Sequence, residues 1–258
     1  MIHSGLVSIT FRKLSPREII DLVVQAGLAG VEWGGDVHVP HGDLRQARLV
    51  RRMTREARLR IAAYGSYYRV GVEGTGPFEP ILDTAVELGA PLIRVWAGNR
   101  ASADADAPFR ARVVCETRQA ADLAARAGVA IAYEFHPRTL TDTAESARKL
   151  LEDVAHENVG SYWQPPPGAS VPDNLAGLTA VLPWLRNAHV FTWHTTTGER
   201  LPLADGEVGW MQVLRKVAST GRDHFALIEF VRHDAEEPFL QDATTLRRWL
   251  SLLEGSRI

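Results

Sequence analysis

The stretch Gln25-Ala26-Gly27-Leu28-Ala29-Gly30-Val31-Glu32-Trp33 holds the unit that this chain repeats: a helix end, a glycine and a short apolar strand. Glycine just past a helix takes the left-handed conformation at little steric cost. The same order returns at Glu87-Leu88-Gly89 and at Arg126-Ala127-Gly128, each before another apolar run. Upstream, Ser15-Pro16-Arg17-Glu18 has the residues of a capping box, with proline at the first helical position. The pattern predicts helices that alternate with strands.

Outward from this unit, eight short apolar or β-branched runs are typical of strands, and a helical pattern follows each. They are Ile2–Ile9, Gly30–Trp33, Leu59–Tyr64, Leu92–Trp96, Val129–Phe135, Val159–Trp163, Ala188–Thr192 and Phe225–Phe230. Their starts recur at roughly 27 to 37 residues, the size of a βα unit. No Gly-x-Gly-x-x-Gly turn supports a doubly wound sheet instead. We therefore expect one α/β domain over residues 1–258, a single (β/α)8 TIM barrel.

Bulk composition fits a cytoplasmic enzyme. The 258 residues include 29 basic and 31 acidic side chains, and a net charge of −2 argues against a nucleic-acid partner. The single cysteine, Cys115, excludes an intrachain disulfide, and its apolar neighbours predict a small core residue. We see no signal segment and no apolar run near the roughly 18 residues of a membrane span, so we expect no membrane partner.

Polar residues interrupt the strand ends where a barrel of this type keeps its catalytic groups. Glu134 and Glu229 each stand in an otherwise apolar strand end, and a charge there is costly unless it is paired or bound to a metal. The alternative for both is a buried ion pair with an arginine such as Arg94 or Arg138. We favour a functional role for the two glutamates.

Further polar and aromatic residues cluster at the same predicted edge. Tryptophans at strand ends offer flat apolar faces to a sugar ring, although a scattered tryptophan is usually a core residue. Histidines there suit hydroxyl binding or proton transfer. The short segments Gly71–Pro77 and Pro165–Pro172 are expected to be active-site loops. The residues expected to bind substrate are Glu32, Trp33, His38, Arg94, Trp96, His136, Trp163, Trp193, His194 and Arg200.

The sequence resembles the xylose-isomerase-like barrel superfamily, which includes sugar isomerases and epimerases, inosose dehydratases and relatives of endonuclease IV. Besides the opening stretch, the resemblance rests on Ala130-Ile131-Ala132-Tyr133-Glu134-Phe135-His136, Asn187-Ala188-His189-Val190-Phe191 and Ala226-Leu227-Ile228-Glu229. It implies a divalent cation (Mn, Mg, Co or Zn) held by Glu, Asp, His and Glu from the fifth to eighth strands. The matching positions here are Glu134, Gln164, His189 and Glu229.

Gln164 stands where that superfamily has Asp. A glutamine carbonyl oxygen still binds Mg²⁺ or Mn²⁺, but the change removes one negative charge, so we expect metal affinity to fall. His194 is a second candidate for the histidine ligand, and His189 is preferred because it lies within the predicted strand.

The resemblance implies an isomerase or epimerase of a small sugar or keto-sugar, with Glu134 and Glu229 exchanging a proton beside a metal-polarised carbonyl. The alternative is a dehydratase or lyase of a keto-sugar or keto-inositol, which needs an acid at the leaving hydroxyl, either His38 or His136. A third possibility is a sugar-binding barrel without catalysis, which is suggested by the replacement of the expected Asp by Gln164. An endonuclease IV-like nuclease is disfavoured because too few His and carboxylate ligands stand at strand ends. Homo-oligomers are expected by analogy alone.

Overall fold

Eight parallel strands close into one barrel in the computed structural model, which describes residues 1–255. The barrel strands are β1 (Ile2–Val7), β2 (Gly30–Gly34), β3 (Arg60–Arg69), β4 (Leu92–Trp96), β5 (Ala130–Tyr133), β6 (Val159–Trp163), β7 (Leu185–Val190) and β10 (His224–Ile228). They follow one another around the barrel in chain order, and β10 closes it by pairing with β1. Two short antiparallel strands, β8 (Thr192–Trp193) and β9 (Arg200–Leu201), form a hairpin after β7. The TIM-barrel prediction is confirmed.

One α-helix follows each barrel strand within the described part of the chain, directly or after a short 3₁₀ turn or hairpin. The helices are α1 (Pro16–Gln25), α2 (Leu44–Glu56), α3 (Glu79–Leu88), α4 (Ala107–Arg126), α5 (Ala144–Val154), α6 (Val171–Val181), α7 (Glu207–Ala218) and α8 (Glu236–Gly255). The predicted capping box at Ser15 is present, with Glu18 as its partner. Gly27 and Gly89 have φ of 65° and 77°, so the predicted glycine ends are also confirmed.

Two apolar clusters hold the barrel and its helices together. The larger one joins the outer faces of the strands to the helices, and it includes Leu6, Trp33, Phe239 and Trp249. The smaller one draws side chains from several strands around the barrel, including Ala63, Tyr162 and Leu227. Side chains from strands far apart around a closed barrel meet only in its interior, so this cluster fills the barrel below the site.

Several strand bounds differ from the sequence expectation for local reasons. β7 begins at Leu185 rather than Ala188, because its pairing with β6 starts with Ser161 opposite Leu185. The polar side chain of Asn187 is used within the sheet, where it accepts a hydrogen bond from the Phe225 amide at 2.8 Å. β10 ends at Ile228, since Phe230 has φ of 58° and leaves the extended conformation. β3 continues to Arg69, past a register shift after Gly65.

Cys115 corrects another expectation. It is exposed on α4, whereas Val113 two positions earlier is buried. Residues two apart on a helix point to nearly opposite faces, so apolar neighbours do not fix the side on which a residue lies. Among the described residues, we find no helix with the length and apolar character that a membrane crossing requires.

Candidate active site

Four strand ends bring the predicted metal ligands to one point at the mouth of the barrel. His189 lies in β7, and Glu134, Gln164 and Glu229 are the first residues after β5, β6 and β10. Main-chain bonds continue the sheet to both glutamates: the Glu134 amide donates to Val95 and the Glu229 amide to Val190. Ligand atoms of Glu134, His189 and Glu229 all lie within 4.8 Å of one another, and the three residues are buried.

His189 Nδ1 is the centre of this arrangement. It lies 2.8 Å from Gln164 Oε1, 3.4 Å from Glu229 Oε2 and 3.5 Å from Glu134 Oε1. Gln164 Nε2 donates to the Phe135 carbonyl oxygen at 2.8 Å, which turns the amide oxygen toward the histidine. Three oxygens from three other strand ends therefore surround one imidazole nitrogen.

This donor set fits a divalent cation. Oxygen or nitrogen ligands at about 2.1 Å from an octahedral ion lie about 3.0 Å apart when adjacent. The separations measured here are close to that value and need only small shifts. Glu229 Oε2 is buried and accepts no hydrogen bond from the described residues, which suits an atom that binds a metal. One imidazole, one amide oxygen and two carboxylates would then hold the ion.

Glu32 lies behind His189, away from this cluster. Its Oε2 is 3.5 Å from His189 Nε2, so the carboxylate orients the ring and leaves Nδ1 facing the other ligands. Burial raises the pKa of Glu32, but Arg94 and His189 outweigh it and bring the pKa to about 2. Burial lowers the pKa of His189, but Glu229 and Glu32 hold it well above its usual value. Glu32, which was expected to bind substrate, thus contacts His189 and Arg94 in the structure.

Arg94, which was also expected to bind substrate, is buried and pairs with two carboxylates of the protein. Its Nε donates to Glu32 Oε1 at 2.6 Å and its Nη1 to Glu134 Oε2. Trp96 Nε1 donates to the same Glu134 oxygen at 2.5 Å. The ion pair that the sequence left open as an alternative thus exists for Glu134, but it occupies Oε2 and leaves Oε1 facing His189. Glu229 has no arginine within 4 Å among the described residues.

His136 lies at the open edge of the site. Its ring stacks on Trp96 with centroids 4.4 Å apart, and Nδ1 lies 2.8 Å from the Pro137 carbonyl oxygen. A carbonyl oxygen only accepts, so Nδ1 is the donor and Nε2 is the atom left for proton exchange. Both Trp96 and His136 were expected at the site, and the structure brings them together beside Glu134.

Tyr67 and Arg69 adjoin the same rings and were not among the expected site residues. Tyr67 meets Trp96 edge to face with centroids 5.3 Å apart, and the Arg69 guanidinium lies 4.1 Å from the Trp96 ring centroid. Tyr67 has φ of 57°, and the irregular end of β3 carries both residues toward β4. The sequence could have indicated them, because they follow Tyr64 at the end of the predicted third strand. They were missed because the apolar run that defined this strand ends before them.

His38 and Trp33, two further residues that were expected at the site, contact other parts of the protein. His38 is only 2% exposed, and its ring nitrogens contact Ser8 Oγ at 2.9 Å and the Leu14 carbonyl at 3.2 Å, so it is a structural residue. Trp33 is fully buried in the larger cluster and meets His38 edge to face. Their packing between the first two βα units was not visible in the sequence.

His194 and Arg200 lie on the segment after β7. His194 is exposed, and its Nδ1 accepts from the amides of Thr196 and Thr197, so it shapes a turn rather than joining the ligands. Arg200 donates to Asp234 and to the Val231 carbonyl, which ties the β8–β9 hairpin to the segment after β10. Arg200, which was expected to bind substrate, is thus paired with Asp234.

Trp163 and Trp193, the last two tryptophans expected to bind substrate, line a cavity between the ends of β6 and β7. Trp163 is buried and meets Trp210 edge to face with centroids 6.1 Å apart. Trp193 stacks near Phe191 and Phe230, at 4.7 and 5.7 Å. Among the described residues, the aromatic partners of the two rings are Trp210 for Trp163 and Phe191 and Phe230 for Trp193.

Comparison with known proteins matches residues 20–250 to the model of the xylose isomerase-like TIM barrel family. A 3-dehydroshikimate dehydratase of Bacillus anthracis is 26% identical, over 90% of this chain and 92% of its own. The crystal structure of a probable 3-DHS dehydratase from Bacillus anthracis superposes with a TM-score of 0.79 at 22% identity, over 96% of this chain and 99% of the other. D-psicose 3-epimerase with D-tagatose, from Clostridium cellulolyticum H10, gives a TM-score of 0.72 at 15% identity, over 97% and 99%.

Proposed function

Because the chain belongs to the xylose isomerase-like TIM barrel family, we propose that it is a metal-assisted dehydratase that removes water from a cyclic keto-polyol. The observation that carries the proposal is the unequal state of the two glutamates. Glu134 is fixed through Oε2 by Arg94 and Trp96, whereas Glu229 has no arginine within 4 Å among residues 1–255. A two-glutamate epimerase needs both carboxylates to exchange protons, but an elimination needs one base and a separate acid.

When bound by Glu134, Gln164, His189 and Glu229, a divalent cation supplies Lewis-acid polarisation of a substrate carbonyl. Glu229 takes the proton from the carbon next to that carbonyl, and its C–H bond electrons form the new double bond. His136, entering the step as the imidazolium, gives the Nε2 proton to the hydroxyl on the neighbouring carbon, whose C–O bond breaks as water leaves, and keeps the Nδ1 proton on the Pro137 carbonyl. His136 is preferred to His38, the other acid that the sequence offered, because the His38 ring is buried and both of its nitrogens have partners.

A carboxylate on the substrate is favoured by Arg69, which lies against the Trp96 ring, and by Arg138, whose charge acts on Arg69. Arg69 and Arg138 have no carboxylate within 4 Å among residues 1–255, and Arg69 lies against Trp96. Burial lowers the pKa of Arg69, and the charge of Arg138 lowers it further. A nearby anion would therefore stabilise the two positive charges. 3-Dehydroshikimate, named in the relative, is a cyclic keto acid of this class.

An epimerase is the second candidate, and one observation favours it. Glu134 Oε1 and Glu229 Oε2 both lie within 3.5 Å of His189 Nδ1, so the two carboxylates do share one site. A keto-sugar bound between them would meet a carboxylate on either side. Because Arg94 and Trp96 hold Glu134 Oε2 in place, the epimerase is the weaker of the two candidate functions.

Proton NMR in D₂O separates the two reactions. The Mn²⁺-loaded protein is freed of excess metal and incubated with 3-dehydroshikimate and, separately, with D-fructose. We expect 3-dehydroshikimate to lose water and to give new olefinic or aromatic signals. Exchange of one C–H for deuterium with formation of an epimer, and no unsaturated product, would show an epimerase instead. Turnover of neither substrate class would contradict the keto-acid assignment.

A further inference from the structure

Glu229 is held in place differently from Glu134, the other carboxylate of the ligand cluster. Glu134 Oε2 accepts hydrogen bonds from Arg94 and Trp96, which fix that carboxylate directly. Glu229 Oε2 accepts no hydrogen bond among residues 1–255, and His189 Nδ1 lies 3.4 Å from it. The Glu229 amide is bonded to β7 at 3.1 Å. The direction of the Glu229 carboxylate therefore depends on the backbone that carries it.

This backbone turns sharply in the five residues after Glu229, which we call segment 230–234. Phe230, His233 and Asp234 lie in the left-handed region, with φ of 58°, 58° and 49°. Aspartate and histidine are enriched in this region, whereas a bulky residue such as phenylalanine is a true outlier there. Such a conformation is costly and persists only where surrounding contacts hold it.

Arg200, the first residue of β9, makes three contacts with this segment. Its Nη1 donates to the Val231 carbonyl oxygen at 3.1 Å and to the Asp234 carboxylate. Its guanidinium carbon lies 5.1 Å from the centroid of the Phe230 ring. Trp193 pairs with Arg200 across the β8–β9 hairpin, and its ring lies 5.7 Å from the same Phe230 ring. The hairpin thus places one cation and one indole against the strained residues.

We propose that Arg200 is a positioning residue, which holds segment 230–234 in its strained shape and so keeps the Glu229 carboxylate directed at the other predicted ligands. Without Arg200 the segment relaxes, and Glu229 loses its fixed direction. The side chains of Arg200 and Asp234 are 32% and 62% exposed, so their ion pair alone contributes little. The bond to Val231 and the ring contact contribute most. The inference rests on the metal site of the proposed function.

Arg200→Met keeps the length of the side chain and removes its donors. We expect the Kd of the full chain for Mn²⁺, measured by isothermal titration calorimetry, to rise about fivefold. Nη1 alone makes both bonds, so the ammonium of Arg200→Lys replaces it and should keep the Kd within about twofold of the original. Asp234→Asn tolerates the same backbone and loses only the ion pair, so it should also stay within about twofold.

Arg248→Met is the matched control, because Arg248 on α8 pairs with Glu207 on α7 at 2.6 Å and is not part of the hairpin. Its Kd for Mn²⁺ should equal that of the original. Amide hydrogen exchange gives a readout that needs no metal, and a peptide covering residues 229–235 should exchange faster in Arg200→Met than in Arg248→Met. Circular dichroism verifies that each variant is folded.

Phe230→Gly tests the route of the effect, because glycine adopts a φ of 58° at little steric cost. Arg200 has no strain to hold in this background. Adding Arg200→Met should therefore raise the Kd for Mn²⁺ by less than about twofold, which a double-mutant cycle measures. A rise of about fivefold in the glycine background as well would overturn the proposed route.

The outcomes separate this inference from the proposed function. Equal Mn²⁺ affinity in Arg200→Met and the unaltered protein would overturn the inference alone. A higher KM for 3-dehydroshikimate at unchanged Mn²⁺ affinity would do the same, and would show that Arg200 binds substrate. No Mn²⁺ binding by the unaltered protein would overturn the proposed function and this inference together.

Discussion

Gln164 is the residue at which the chain departs from the ligand set that its resemblance implies. Its amide bridges two groups: Nε2 donates to the Phe135 carbonyl and Oε1 faces His189 Nδ1. An aspartate could not make the first of these bonds, because an ionised carboxylate has no donor. Glutamine thus positions a neutral oxygen firmly where a charged one is expected.

Gln164→Asp is predicted to tighten Mn²⁺ binding about tenfold, because it adds a negative charge to the ligand set. Isothermal titration calorimetry measures the affinity. Gln164→Leu, which keeps the size and removes the oxygen, should weaken binding. If Gln164→Asp binds metal more tightly but still turns over no substrate, the sugar-binding barrel considered from the sequence is supported. Weaker binding in Gln164→Asp would show that residue 164 does not reach the ion.

His136→Gln is predicted to lower kcat by about 10²–10⁴, the usual contribution of general acid catalysis. Its Mn²⁺ affinity should stay unchanged, because His136 is outside the ligand cluster. Steady-state kinetics and calorimetry on the same preparation separate the two effects. His194→Gln is the matched control, since that exposed histidine only accepts bonds within its turn. A His136→Gln enzyme with kcat within about twofold of the original would assign the proton to another group.

At the scale of strands and helices, the sequence predicts much of the architecture because its signals are local. Helix caps, glycines after helices and apolar runs report on a few neighbouring residues, and the alternation they predict is confirmed. Parallel order then places the strand ends of Glu134, Gln164, His189 and Glu229 at one edge. The residue types of the site were therefore predictable once a barrel was assumed.

The contacts of Glu32, Arg94 and His38 were not predictable in the same way. Glu32 and Arg94 are 62 positions apart and lie on strands separated by β3, so their pairing depends on barrel curvature and side-chain rotamers. The ring nitrogens of His38 contact Ser8 Oγ and the Leu14 carbonyl oxygen, which belong to another βα unit. A sequence shows that a polar residue lies at a strand end, but it does not show whether that residue is hydrogen-bonded or ion-paired to another side chain.

The contact of α8 with the segment after β9 gives a pH-dependent prediction. Asp242 in α8 accepts the Leu203 amide at 2.8 Å, and burial raises its pKa to about 6. An acid whose folded pKa exceeds its unfolded value of 3.8 favours folding most below that value, and this contribution is lost as pH rises through 6.

Asp242→Asn keeps an acceptor for Leu203 and removes the buried charge. We predict that Tm rises by about 2–4 °C at pH 8, equivalent to about 1 kcal/mol, and that the difference vanishes near pH 4. Thermal unfolding across this range measures it. A Tm gain that is independent of pH would point to another cause, and a loss at pH 8 would contradict the burial effect.

For the whole molecule, the mouth of the barrel concentrates charge of one sign. Three buried carboxylates, Glu32, Glu134 and Glu229, face one buried guanidinium, Arg94, and the raised pKa of His189 adds a second positive charge, which leaves an excess of one negative charge. Uncompensated buried charge is costly, and a bound cation is one way in which proteins offset it. The chain as a whole carries only −2, so this concentration is local rather than a property of its composition.

Anomalous diffraction from a crystal grown with Mn²⁺ tests most directly whether these strand ends form a metal site. We predict one strong peak at the barrel mouth, about 2.0–2.4 Å from oxygens of Glu134, Gln164 and Glu229 and from His189 Nδ1. Saturating Mn²⁺ with no peak there, or a peak held by other residues while Arg94 and Glu134 fill the space, would contradict the account.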